Sequence, residues 1–164
     1  MDDHVTPAPG VGTSPEQGTS GAVVATLVSV PGVRQVVDYA LQRRALLADV
    51  SAGRVATADA CDAGVYLLQA ASHHGRPTTR TCPLCRRDPL VEVHWIFGER
   101  LGGAAGSARS ADEISRLADA ISEFTVHVVE VCRSCRWNHL VQSYVLGTDD
   151  ASGGGRRRRR TASP

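Results

Sequence analysis

VEVCRSCRWNHL, residues 129–140, is the stretch on which the reading of this chain turns. A β-branched run leads into Cys132-x2-Cys135, and an arginine follows each cysteine. One CxxC pair fits a redox dithiol, half of a metal site, or coincidence, and the choice depends on whether a partner exists. TCPLCRRDPL, residues 81–90, supplies one with Cys82 and Cys85.

Both pairs border sequence with the pattern of strands. Leu90 to Phe97 alternates, with Val91, Val93, Trp95 and Phe97 on one face. Phe124 to Val131 is β-branched, and Trp137 to Leu146 places Leu140, Tyr144 and Leu146 on one side. If these strands pair antiparallel, the end of the second returns to the start of the first, and the two CxxC turns meet. Zinc takes four ligands in a tetrahedron with Zn–S near ~2.3 Å. Cys82, Cys85, Cys132 and Cys135 therefore predict a structural Zn²⁺ site, as in a zinc ribbon. An iron–sulfur centre would use the same thiolates. A thioredoxin-like pair would sit in a βαβ unit, which the pattern lacks. Four cysteines close the coordination sphere and leave no position for a reacting water. No Ser/His/Asp grouping, catalytic carboxylate pair, phosphate-binding glycine loop or dinucleotide fingerprint stands out, so the chain reads as non-catalytic.

Upstream, Val33 to Val50 reads as a helix, with Val33, Val36, Val37, Ala40, Leu41 and Leu47 at helical spacing. A second helix is expected from Thr57 to His74, ended by Gly75 and interrupted in pattern by Gly64. The short connection between them predicts an antiparallel helical hairpin. GERLGGAAGSARS, residues 98–110, reads as a mobile loop, and Ser110 with Glu113 makes a capping box that opens a helix striped by Ile114, Leu117, Ala118 and Ile121. The expected fold is α+β: a helical hairpin packed on a three-stranded antiparallel zinc ribbon with one helical insertion.

The 164 residues predict one domain with tails. Only 4% of residues are aromatic, a thin supply for a core, which favours a metal staple. Residues 1–32 are rich in Pro, Gly, Ser and Thr and are expected to be disordered, as are residues 148–164, where glycines precede Arg156–Arg160. Residues 33–147 form the expected domain, with 13 arginines against 12 acids and no lysine. The domain is thus not basic overall, and affinity for nucleic acid would have to come from local patches or the tail. The apolar run Ala22–Val30 is too short to span a bilayer and no positive leader precedes it, so a cytoplasmic location without a membrane span is expected.

Arg76, Arg80, Arg86, Arg87, Arg133 and Arg136 surround the two pairs. They would either offset the negative metal thiolates or form a basic rim, with Trp95 and Trp137 as stacking surfaces, that contacts nucleic acid or nucleoprotein machinery of transcription or translation; the alternative for Trp137 is a core position packed over the knuckle. The rival expectation is a protein-interaction adaptor that binds through the helical hairpin, without nucleic acid. Cys61 falls on an apolar helical stripe and reads as a core thiol. His73 and His74 fall at a helix end, and His94, His127 and His139 on strands, where structural roles are expected. An enzyme would need His94, His127 or His139 gathered with Glu92 or Glu130.

In QVVDYALQRRALLADV (35–50), CDAGVYLLQAA (61–71), TCPLCRRDPL and VVEVCRSCRWNHLVQSYVLG (128–147), the chain resembles a small actinobacterial family known only as a domain of unknown function. The resemblance covers about residues 35–147, with both tails outside it. It implies a cytosolic, zinc-ribbon-like protein with Cys82, Cys85, Cys132 and Cys135 as ligands, and it implies no activity.

Overall fold

The computed structural model describes residues 32–148, so the N-terminal residues and the arginine block Arg156–Arg160 lie outside the described part. Six strands form one antiparallel sheet: β1 (Arg34–Asp38), β2 (Arg76–Thr81), β3 (Pro89–Phe97), β4 (Ser107–Arg109), β5 (Phe124–Val131) and β6 (Asn138–Leu146). The order is β1-β6-β5-β3-β2, and β4 pairs with the far end of β3. The helices are α1 (Ala40–Ser51), α2 (Thr57–Ala60), α3 (Val65–His73) and α4 (Ala111–Ala120). The architecture is thus mixed α and β around an antiparallel sheet.

The three expected strands are β3, β5 and β6, within a residue or two of their expected bounds. The expected count of three is corrected to six. β1 was expected as the start of a helix, but β-branched Val33, Val36 and Val37 favour an extended backbone once β6 offers a partner, with Arg34 opposite Val145 and Val37 opposite Ser143. The Asp38 side chain then accepts from the Ala40 backbone N–H at 2.7 Å, and α1 starts at Ala40, seven residues later than the periodicity suggests. β2, in the Thr-rich RPTTRT, forms a hairpin with β3 around the first CxxC turn.

The expected hairpin of two long helices is also corrected. The segment between α2 and α3 is not helical, and Gly64 is the extended N-cap of α3. Gly75 does follow the end of α3, for a reason of space: a Cβ there would lie 2.2 Å from both the Ala71 carbonyl oxygen and Val91 Cγ1. The expected mobile loop contains a 3-10 helix, Glu99–Ala104, and β4. The capping box at Ser110 is formed, with the Ser110 and Glu113 side chains each accepting from the other's backbone N–H.

Register assigns the faces. Val91, Val93 and Trp95 lie opposite Val131, Val129 and His127, and Leu67, Leu68, Ala70 and Ala71 of α3 pack there. Ile96 and Val126, on the other face, join Phe124, Leu146 and Ile114 of α4. A third apolar cluster, at the end carrying the CxxC turns, combines Cys82, Cys132, Leu90 and Trp137 with Leu46, Leu47 and Val50 of α1.

Candidate metal centre

Two hairpin tips build the site. Cys82 and Cys85 occupy the β2–β3 connection, and Cys132 and Cys135 the β5–β6 connection. Because β3 and β5 are antiparallel neighbours with Val91 opposite Val131, the tips lie side by side. The turns share one backbone design. Arg86 N–H donates to the Cys82 carbonyl at 3.1 Å, and Arg136 N–H to the Cys132 carbonyl at 2.9 Å. Cys82 N–H donates to the Asp88 carbonyl at 2.9 Å, and Cys132 N–H to the Trp137 carbonyl at 2.8 Å. The residue after each second cysteine is left-handed, with φ 54° at Arg86 and 69° at Arg136. A hydrogen bond between the Ser134 hydroxyl and Asp88 ties one turn to the other.

The four sulfurs lie within 4.8 Å of one another. Cys82 and Cys135 Sγ are 3.5 Å apart, and Cys85 and Cys132 Sγ are 3.6 Å apart. A tetrahedron with metal–sulfur bonds of ~2.3 Å has edges of about 3.8 Å, so the thiols already stand close to metal-binding positions. Cys82 and Cys132 are buried, while Cys85 and Cys135 are half-buried. As free thiols they differ in acidity. Burial pushes Cys82 up to about 12 and Cys135 up to about 11. The backbone N–H of Arg87, joined by that of Asp88, draws Cys85 down to about 6. The cluster could hold a metal ion, and the soft, closed donor set suits a structural one.

A buried polar knot supports the second turn. Glu130 is 0% exposed, and its Oε1 accepts from Arg43 Nε at 2.6 Å and from Trp137 Nε1 at 2.9 Å. Arg80 Nη1 lies 3.3 Å from Oε2, too poorly aligned for a hydrogen bond, and Arg80 Nη2 donates to Glu92 at 2.7 Å. The Arg43 guanidinium stands 6.0 Å from the Trp137 ring centre. α1 is thereby attached to the knuckle end by charge as well as by apolar packing. Glu130 was singled out in the sequence only as a partner for a catalytic histidine, and nothing local marks it as the anchor.

The expected arginine rim divides. Arg86, Arg87 and Arg133 are exposed around the turns. Arg136 is exposed too, but its guanidinium is committed, donating through Nε and Nη2 to the Ala63 carbonyl at 2.9 and 2.6 Å, and Arg80 is engaged with Glu92 and Glu130. Trp137 is 0% exposed, which takes it off any stacking surface. The histidines are spread out. His94 lies beyond Glu92 on the Glu130 face, and burial lowers its pKa. His127 is on the opposite face against Phe97, with ring centres 4.8 Å apart, and His139 stacks on Trp137 at 6.0 Å. No helix among the described residues is long and apolar enough to cross a membrane.

Comparison with known proteins places the chain. A model of a family of unknown function (DUF5318) matches residues 30–161, and the chain belongs to that family. The match extends beyond the expected limit at residue 147 and takes in the arginine block. Uncharacterized protein Rv0049 of Mycobacterium tuberculosis and Uncharacterized protein Mb0050 of Mycobacterium bovis are each 58% identical over 110 residues, covering 67% of this chain and 80% of the relative. The likeness to these mycobacterial proteins agrees with the actinobacterial resemblance. No solved structure matches the chain significantly.

Proposed function

We propose that this member of the family is a non-catalytic zinc module, and that Arg86, Arg87 and Arg133 bind the phosphates of a nucleic acid, in association with the transcription or translation machinery of the cytoplasm. The single observation that carries the reading is one tip holding both a four-thiol cluster and three outward arginines. Zinc, when bound, supplies a cross-link between two hairpins. The buried thiols, Glu130 and Trp137 hold the turns, and the arginines remain free to touch a partner. Four thiolates around Zn²⁺ would carry about −2, so the same arginines also offset the metal centre.

Two measurements test this. Metal analysis of the purified chain should return one zinc per chain, and Cys132→Ser should lose it together with cooperative unfolding; retention of zinc by that variant refutes the site. Fluorescence anisotropy with single-stranded RNA should show binding that weakens with salt, with a log–log slope of about −2 for three phosphate contacts. Replacing Arg86, Arg87 and Arg133 by Gln should abolish it, and deleting residues 149–164 should not. Binding lost only on deletion assigns the phosphate contacts to the arginine block instead.

A second reading has its own observation. Leu41 of α1 and Tyr66 of α3 are 70% and 83% exposed, and Val65 beside Tyr66 is exposed as well. These helices would serve a protein-interaction adaptor that touches no nucleic acid, and the RNA titration decides between the two.

A further inference from the structure

The four sulfurs at the knuckle end touch across the two hairpins. Cys82 Sγ lies 3.5 Å from Cys135 Sγ, and Cys85 Sγ lies 3.6 Å from Cys132 Sγ. The pattern is reciprocal: the first cysteine of each turn meets the second cysteine of the other. Burial divides the thiols in the same way. Cys82 and Cys132 are sealed in, whereas Cys85 and Cys135 are half-buried and within reach of a small oxidant. Each contact therefore sets one accessible sulfur against one enclosed sulfur. The backbone hydrogen bonds of each turn, and the bond between Ser134 and Asp88, hold the two tips side by side. Closing either contact to the ~2.0 Å of a disulfide takes side-chain movement of about 1.5 Å.

We propose that the cluster is a site of reversible oxidative modification, at which hydrogen peroxide converts the four thiols into two disulfides, Cys82–Cys135 and Cys85–Cys132, that join one knuckle to the other. The pairing stands on the sulfur contacts; only its consequence for a bound metal rests on the metal-site reading. In each pair the half-buried sulfur, Cys135 or Cys85, attacks the O–O bond. An S–O bond forms, the O–O bond breaks, and hydroxide leaves as water with the thiol proton. The enclosed partner then attacks the sulfenic sulfur; the S–S bond forms, the S–O bond breaks, and the oxygen departs as water with the second thiol proton. Each pair of thiols gives two electrons, and one peroxide takes both. A sulfur already in contact resolves the sulfenic acid ahead of further oxidation. The modification withdraws the donors that a metal needs, yet it leaves the hairpin tips cross-linked. A thiol reductant restores all four thiols.

The experiment uses the full chain loaded with zinc and treated with hydrogen peroxide. Zinc release is followed with a chromogenic chelator, and disulfides are mapped by mass spectrometry after non-reducing digestion with trypsin. Cys82 and Cys85 fall in one peptide, residues 81–86, whereas Arg133 separates Cys132, in residues 117–133, from Cys135, in residues 134–136. The expected product joins all three peptides, with fragmentation assigning Cys82 to Cys135 and Cys85 to Cys132. It should form in step with zinc release and revert with dithiothreitol. Cys61→Ser leaves both pairs intact and should give the same map. Disulfides within the knuckles leave residues 81–86 unjoined and overturn the proposal. So do the opposite cross-pairing, a bond to Cys61, or sulfinic acid as the main product. If the wild type holds no zinc, the metal-site reading fails, while the disulfide map still decides the pairing.

Discussion

Replacing Glu130 by Ala should be among the most damaging single changes outside the cysteines. The carboxylate is fully buried; its Oε1 accepts from Arg43 at 2.6 Å and Trp137 at 2.9 Å, and the Arg80 guanidinium stands 3.3 Å from Oε2 as an ion pair without a hydrogen bond. Removing one partner of a buried ion pair costs about 3–5 kcal/mol, because the surviving charge is left without its counter-ion. Two features moderate this. The Arg80 side chain is 46% exposed and can turn to water, so its share is small, and Arg43 is itself partly exposed. Trp137 cannot escape, and its unpaired N–H adds about 1–3 kcal/mol. A net loss of about 3–4 kcal/mol follows, or a fall in Tm of roughly 12–16 °C for a domain of this size. The assay is thermal unfolding by circular dichroism at saturating zinc, so that mass action on the metal is held constant. Glu130→Gln retains an acceptor for Trp137 and should fall between wild type and Ala. In an Arg43→Met background the cost of Glu130→Ala should shrink, since one stranded charge is gone. A Glu130→Ala protein within ~1 kcal/mol of wild type, or costs that simply add with Arg43→Met, would refute the knot as the attachment of α1.

Zinc binding should be steeply pH-dependent. Cys82 at about 12 and Cys135 at about 11 keep their protons at neutral pH and must lose them to ligate, so the affinity falls as pH falls. Competition with a chelator between pH 7 and 9 should show log K rising by at least about two per pH unit, and a slope near zero contradicts the assignment. Below about 6, where Cys85 also takes up a proton, the dependence should steepen further. Arg86→Gly relieves a left-handed φ of 54° on an exposed residue and should stabilise the zinc-loaded chain. Relief of about 1–2 kcal/mol, less the greater entropy glycine loses on folding, leaves about 0.5–1 kcal/mol, read as a Tm rise of about 2–4 °C. Arg136→Gly relieves the same strain but removes both guanidinium bonds to Ala63, so the Tm should fall instead. Equal shifts in the two variants would show that the Arg136 side chain carries no weight.

The local chemistry of the site is legible in the sequence. Two CxxC pairs with strands around them specify four thiols at two turns, because zinc-type turns need only short-range geometry. β3, β5 and β6 and the Ser110 capping box were readable for the same reason: each is announced by residues within a few positions of one another. What the sequence left undecided depended on distant partners. Val33, Val36 and Val37 fit a helix as well as a strand until β6 is present to pair with them. Helical spacing runs through Cys61–Gly64, yet the chain leaves the helix there to bond with Arg136 and Asn138, more than seventy residues away. The arginines look alike in the sequence, and only the tertiary contacts separate Arg86, Arg87 and Arg133 from the equally exposed Arg80 and Arg136, whose guanidiniums are engaged with Glu92, Glu130 and the Ala63 carbonyl. Glu130 acquires its significance from the same source. A side chain's role is set by what surrounds it, and antiparallel pairing of β5 with β3 and β6 is what gathers those surroundings at one end of the sheet.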